Sequence, residues 1–118
     1  MPVLLIDDDE DLRLLMAEYL TSCGKKVRAC GSIAEARAAF AEMARTEPPH
    51  TVIVDDQLPD GKGIGFCRSL QPAFPGTRWI LISGNHDLDA LAQAKAEGAT
   101  FISVDKPMSL RTLNALAS

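Results

Sequence analysis

The chain has 118 residues, 47% of them hydrophobic and 24% charged, which fits one self-sufficient domain with its own core. Its net charge of −4 excludes a non-specific electrostatic grip on nucleic acid or on an anionic membrane. No apolar run approaches the length of a membrane span, and the start, Met1-Pro2-Val3-Leu4-Leu5-Ile6, enters acidic residues without the basic leader of a signal peptide.

Val3 to Ile6 is a short all-apolar run, as expected of a strand buried on both faces. Leu12, Leu15, Met16, Tyr19, Leu20 and Cys23 then recur at helical spacing, with Asp9 as the N-cap and Gly24 as a left-handed stop. Lys26 to Cys30 is brief and β-compatible. Ser32-Ile33-Ala34-Glu35 reads as a capping box, the Ser hydroxyl accepting from a backbone N–H and the Glu reaching back. It opens an alanine-rich helix to about Arg45, ended by Glu47-Pro48-Pro49-His50. Thr51 to Asp55 is the most β-prone run and is closed by a charge. Leu58 to Gly65 holds one proline and three glycines and reads as a loop, overlapping a weak helix from Gly63 to Leu70 with Ile64, Cys67 and Leu70 on one side. After a turn at Pro72 to Gly76, Arg78 to Ser83 is a further apolar strand. Asp87 to Glu97 is helical and stops at Gly98. Phe101 to Val104 is the last strand, and Ser109 caps a short final helix. Cys23, Cys30 and Cys67 form no CxxC pair and are an odd number, which points to a reducing compartment and to small core residues.

Strand and helix alternate five times, which implies a parallel sheet covered on both faces, with ligands beyond the carboxyl ends of the strands. The polar residues fall at that edge. Asp7 and Asp8 follow the first strand, Asp55 and Asp56 the third, Ser83 ends the fourth, and Lys106 follows the fifth. Converging carboxylates repel one another unless a hard divalent cation sits among them. A lysine and a hydroxyl nearby can bind the remaining oxygens of a phosphoryl group, and an aspartate can itself be the nucleophile.

The pattern Leu5-Ile6-Asp7-Asp8-Asp9, Ile53-Val54-Asp55 with Pro59 four residues on and Gly63 closing the loop, Ile82-Ser83-Gly84 and Lys106-Pro107 resembles the response-regulator receiver family. Each motif alone is weak; the four together, in order and at matching spacing over nearly the whole chain, are specific. The resemblance implies a flavodoxin-like (βα)5 fold for residues 1–118, with a five-stranded parallel sheet in the order 2-1-3-4-5 and helices on both faces. It implies that Asp55 is the phosphoacceptor. Magnesium would be held by Asp8 directly, Asp7 mostly through water, Asp55, and the backbone carbonyl of Gln57. Ser83 would hydrogen-bond a phosphoryl oxygen, Lys106 would pair with another, and Gly84 would leave the phosphate accessible. The donor would be a sensor histidine kinase or a histidine phosphotransfer protein, and the setting the cytoplasm. The output would run through the helix–strand–helix surface from about Leu88 to Leu116. The chain is thus expected to be a signalling domain, not an enzyme beyond magnesium-dependent self-phosphorylation and autodephosphorylation.

Each residue also has a plainer reading. Asp7 and Asp8 could simply cap the first helix, Asp55 be a strand-end charge and Lys106 a solvated lysine; their joint placement at one edge argues against all three. Asp56 is read as loop structure, His86 and His50 as ordinary loop residues, and Trp79 as packing. Two departures from the family stand out. The aromatic usual three residues before the lysine is Ser103 here, and Phe101, two residues earlier, is the candidate for its role. The spacing from Gly98 to Lys106 is one residue longer than usual, consistent with a bulge. Eleven residues follow Pro107, so the domain either stands alone or belongs to a longer regulator or hybrid kinase with its own effector. The competing functions are a phosphorylation-independent interaction module that keeps the fold, and a small aspartyl-phosphate hydrolase of the haloacid-dehalogenase type. The latter carries its nucleophile after the first strand rather than the third.

Overall fold

A computed structural model describes residues 2–84, 92–93, 95–96, 102–106 and 109–117. Strand β1 (Pro2–Ile6), helix α1 (Glu10–Ser22), β2 (Lys26–Cys30), α2 (Ile33–Ala44) and β3 (Thr51–Asp55) are followed by a two-residue ladder of β4 (Gln57–Leu58) and β5 (Gly61–Lys62). Then come α3 (Gly63–Leu70), a 3-10 turn (Gln71–Ala73), β6 (Arg78–Ser83), β7 (Ile102–Asp105) and α4 (Leu110–Leu116). Of the helix expected at Asp87 to Glu97, Ala92, Gln93, Lys95 and Ala96 are described; they are helical and exposed, and the rest lies outside the described residues.

The main sheet is parallel, in the order β2-β1-β3-β6-β7. With the small β4–β5 ladder set aside, this is the expected 2-1-3-4-5 order. All five residues of β3, and every residue of β6 after Arg78, are buried, which is why these strands read as unbroken apolar runs rather than alternating ones. Alternation instead divides their side chains between two cores. Leu4, Ile6, Val52, Val54, Trp79 and Leu81 pack toward α2 and α3, with Phe40, Phe66 and Cys67. Val3, Leu5, Ile53, Ile80 and Ile82 pack toward α1 and α4, with Met16, Leu20, Leu113 and Ala117. Trp79 is packing, as expected: it stacks on Phe40 and meets Phe66 edge-on.

Several local expectations are corrected. Of the six residues that recur at helical spacing along α1, only Met16 and Leu20 are buried; Leu12 and Leu15 are exposed, as is Cys23. Cys30 and Cys67 are core residues, and burial, reinforced by the charge of Asp56, pushes the Cys67 thiol up to about 12. The Ser32 hydroxyl accepts from the Glu35 N–H as the capping box requires, but the Glu35 carboxylate accepts from Gly31 rather than Ser32. The loop after β3 contains the β4–β5 ladder. Four consecutive pairs, from Ile80 with Ile102 to Ser83 with Asp105, join β6 to β7 without a bulge, so within the described strand the extra residue is not accommodated there.

Candidate functional site

Parallel register aligns the strand ends. Ile6 pairs with Val54, Asp55 with Ile82 and Ser83 with Asp105, so the residues just beyond β1, β3, β6 and β7 share one edge of the sheet. The chain leaves β1 still bonded to β2, the Asp7 N–H donating to the Cys30 carbonyl at 3.0 Å. Asp7 then folds back, its Oδ1 accepting from the Asp9 N–H at 2.9 Å, and Asp9 caps α1 through the Leu12 N–H. Arg13, one turn into α1, donates to the Asp7 carbonyl at 2.8 Å and fixes the acidic turn from the helix side.

Asp7 and Asp55 are each only 4% exposed, whereas Asp8 is open to solvent. One oxygen from each of the three lies within 4.8 Å of the others. Lys106 donates from Nζ to Asp55 Oδ2 at 2.9 Å, and the Gln57 N–H donates to Asp55 Oδ1 at 3.2 Å. Burial raises the Asp7 carboxyl above its ordinary range, the nearby Asp55 and Asp8 charges adding to this and the Asp9 N–H and Lys106 opposing it. Burial alone would lower Lys106, but the hydrogen bond and charge of Asp55, with Asp7 and Asp8 behind it, outweigh burial and hold the ammonium above its usual value. Among the described residues, two buried carboxylates and one exposed one around Lys106 leave surplus negative charge. Three oxygens at this spacing, one side open to water, are a donor set suited to a hard, partly hydrated divalent cation.

Asp56 is also buried, yet it is turned to structure. Its N–H donates to the Ile82 carbonyl, its carbonyl accepts from Gly63, and its Oδ1 accepts from the Ile64 N–H at the start of α3. Gly63 is required by closeness rather than by backbone angle: a Cβ there would stand 2.3 Å from the Asp55 carbonyl oxygen. At Gly84 a Cβ would meet Lys106 carbons at an ordinary 3.9 Å, so the described neighbours do not demand glycine. Ser83 is fully buried, and its carbonyl accepts from the Lys106 N–H at 3.0 Å. Gln57 is exposed and pairs with Lys62 across the small ladder. Ser103 is exposed on β7 opposite Leu81, while Phe101 and His86 lie outside the described residues. His50, at the far edge of the sheet, bonds Thr51.

Two residues near the site had not been singled out. Arg13 carries no local signal, because its partner is a main-chain carbonyl. Asp60 follows Pro59 in a turn, which marks a turn residue but not its partner: its two carboxylate oxygens accept from the Ile33 and Ala34 N–H groups of α2 at 2.8 and 2.9 Å.

A family model described as the response regulator receiver domain matches residues 3–118. The response regulator protein PilR of Pseudomonas aeruginosa is 31% identical over 115 residues, 98% of this chain and 25% of PilR. The chain therefore spans about a quarter of that relative's length. The crystal structure of a response regulator receiver domain protein from Clostridium thermocellum superposes with a TM-score of 0.83 at 26% identity, covering 98% of this chain and 90% of that one. A response regulator from Burkholderia pseudomallei, crystallised with a phosphorylated aspartic acid, calcium ion and citrate, gives 0.79 at 25% identity over 99% of this chain and 66% of that one.

Proposed function

This chain belongs to the response regulator receiver domain family of two-component signalling, and from that premise we propose that it accepts a phosphoryl group on Asp55 from a histidine kinase or a histidine phosphotransfer protein. The observation that carries the reading is the buried Asp55 carboxylate, paired at 2.9 Å with Lys106 and within 4.8 Å of Asp7 and Asp8. The phosphorylated aspartic acid and calcium ion of the Burkholderia protein lend support by likeness.

In the proposed reaction a carboxylate oxygen of Asp55 attacks phosphorus. An oxygen–phosphorus bond forms, the nitrogen–phosphorus bond of the donor breaks, and the histidine nitrogen leaves with the electron pair and takes up a proton. Asp7, Asp8, Asp55 and the Gln57 carbonyl would hold magnesium, which when bound offsets the charge of the carboxylates and of the phosphoryl oxygens. Lys106, poised on Asp55, passes to a phosphoryl oxygen, and the Ser83 hydroxyl donates to another. Ser83 ends β6 and Lys106 directly follows β7, the strand pair that connects the site to the surface from about Leu88 to Leu116, the proposed output face. Phe101 is the candidate aromatic of that switch. The cytoplasmic setting is likewise proposed; among the described residues no helix is long and apolar enough to cross a membrane.

Acetyl phosphate with magnesium is the direct test, read by mass spectrometry with peptide mapping. The modification is expected on Asp55 and absent from Asp55→Asn; a modification on Asp56 would overturn the assignment. The exposed Ser103, where an aromatic would be expected, favours one second reading, an interaction module independent of phosphorylation. Absence of any labelling would support it.

A further inference from the structure

The loop that follows Asp55 is bound at its tip to α2, which packs on the same face of the sheet as α3. The β4–β5 ladder has two residue pairs, Gln57 with Lys62 and Leu58 with Gly61, and a two-stranded hairpin this short does not hold its own position in water. Anchors must place it. At its base the Gly63 N–H donates to the Asp56 carbonyl, and the Gln57 N–H donates to Asp55 Oδ1. At its tip Asp60 takes the N–H groups of Ile33 and Ala34, one on each oxygen. Those are the first two orphan donors of α2, Ser32 takes the next, that of Glu35, through its hydroxyl, and the Ala36 N–H makes the first intrahelical bond, to the Ser32 carbonyl. The two N–H bonds hold the Asp60 carboxyl below its ordinary range. Gly61 reinforces the tie. Its φ of +151° admits glycine with least strain, and a Cβ there would lie 3.0 Å from the Ile33 Cδ1.

We infer that Asp60 is a positioning residue for the cation site: by clamping the hairpin tip to α2 it holds the main chain at Gln57 where its carbonyl can serve as a ligand. This rests on the reading of Asp7, Asp8, Asp55 and Gln57 as the cation ligands. Asp60 touches neither cation nor phosphoryl group and acts through the ladder. The coupling is reciprocal, so occupation of the site also steadies the first turn of α2.

A role confined to capping α2 would be shared by Ser32, which caps the same turn and has no bond to the hairpin. The test therefore compares wild type, Asp60→Ala, Asp60→Asn and Ser32→Ala, titrating magnesium alone and following backbone amide chemical shifts. Asp60→Ala is expected to weaken magnesium binding roughly ten-fold, the scale of an outer partner behind a metal ligand. Asp60→Asn, which keeps one acceptor oxygen and folds even if the alanine variant does not, falls between. Ser32→Ala binds like wild type although it too loses a cap. In the wild type, magnesium slows hydrogen exchange at the Ile33 and Ala34 amides. Wild-type affinity in both Asp60 variants, or an equal loss in Ser32→Ala, overturns the inference while leaving the phosphoacceptor reading intact. Failure of wild type itself to bind magnesium overturns both and is recognised by that result alone.

Discussion

Asp7 carries the tension of the site. It is buried beside Asp55, and its charge is compensated by one backbone N–H and a shared lysine. A carboxyl raised in the folded state contributes stability below its unfolded pKa of about 3.9, and that contribution is lost as pH rises through the raised folded value. The metal-free protein is thus expected to be weakened by Asp7 at neutral pH. Asp7→Asn keeps the oxygen that accepts from Asp9 and removes the charge. It should stabilise the metal-free protein by about 1 kcal/mol at neutral pH, as neutralising a poorly compensated buried charge can. The advantage should shrink as pH falls through the raised folded value and the wild-type carboxyl takes up its proton. Thermal denaturation of both proteins without added metal, across that pH range, checks the sign. Magnesium should reverse the ranking, since the variant has lost a ligand charge. A variant no more stable than wild type at neutral pH would show that Asp7 is adequately compensated without a cation.

At the scale of elements, the start of α3 lies against the end of β3. Gly63 is buried, its N–H bonded to the Asp56 carbonyl, and the space for a side chain is filled by the Asp55 carbonyl oxygen at 2.3 Å and Val54 Cγ2 at 3.0 Å. These neighbours are main chain and a packed strand residue, so neither yields cheaply. Gly63→Ala is expected to cost about 1–3 kcal/mol by overpacking. The displacement falls on the residue proposed to be phosphorylated, so acetyl phosphate labelling of Asp55 should slow as well. Denaturant unfolding and the labelling rate together separate the two effects. A stable variant labelled at the wild-type rate would mean that α3 slides without moving β3. Gly65, two residues on, is the internal comparison, because a Cβ there has nothing within 4 Å.

For the molecule as a whole, the sheet separates two cores. Val104, Leu110 and Leu116 pack on the side shared with α1, while Trp79 and its phenylalanines fill the other. Phosphorylation adds about −1.5 to −2 charges at the sheet edge, where Lys106 now neutralises Asp55. A response in Lys106 and Ser83 should travel along β7 and into α4, leaving the Trp79 indole little changed. Chemical shifts with beryllofluoride and magnesium, a stable stand-in for the phosphoryl group, test this. Perturbations from Ser83 through Ile102–Asp105 to Leu110–Leu116 are the expected result. Shifts confined to the surroundings of Asp55 would make the domain a phosphate sink or passive adaptor rather than a switch.

The succession of strands and helices, and the edge where the acidic residues gather, were legible in the sequence. Buried parallel strands must be apolar throughout, and a charge that ends such a run, as at Asp7 and Asp55, marks where the chain leaves the core. Caps at Asp9, Ser32 and Ser109 were legible because each partner lies within a turn of the cap. The buried face of α1 was not, since Leu12, Leu14, Leu15, Met16 and Leu20 spread around too much of the helix to define one side, and the sheet alone selected Met16 and Leu20. The sequence spacing to Pro59 favoured Asp55 over its neighbour, but tertiary contacts set their surroundings, Lys106 meeting one carboxylate and the Ile64 N–H the other. The grip of Asp60 on α2 joins residues 26 and 27 positions apart. Local patterns report what a residue does within a turn or two; which distant groups it meets is decided only when helices and loops close over the sheet.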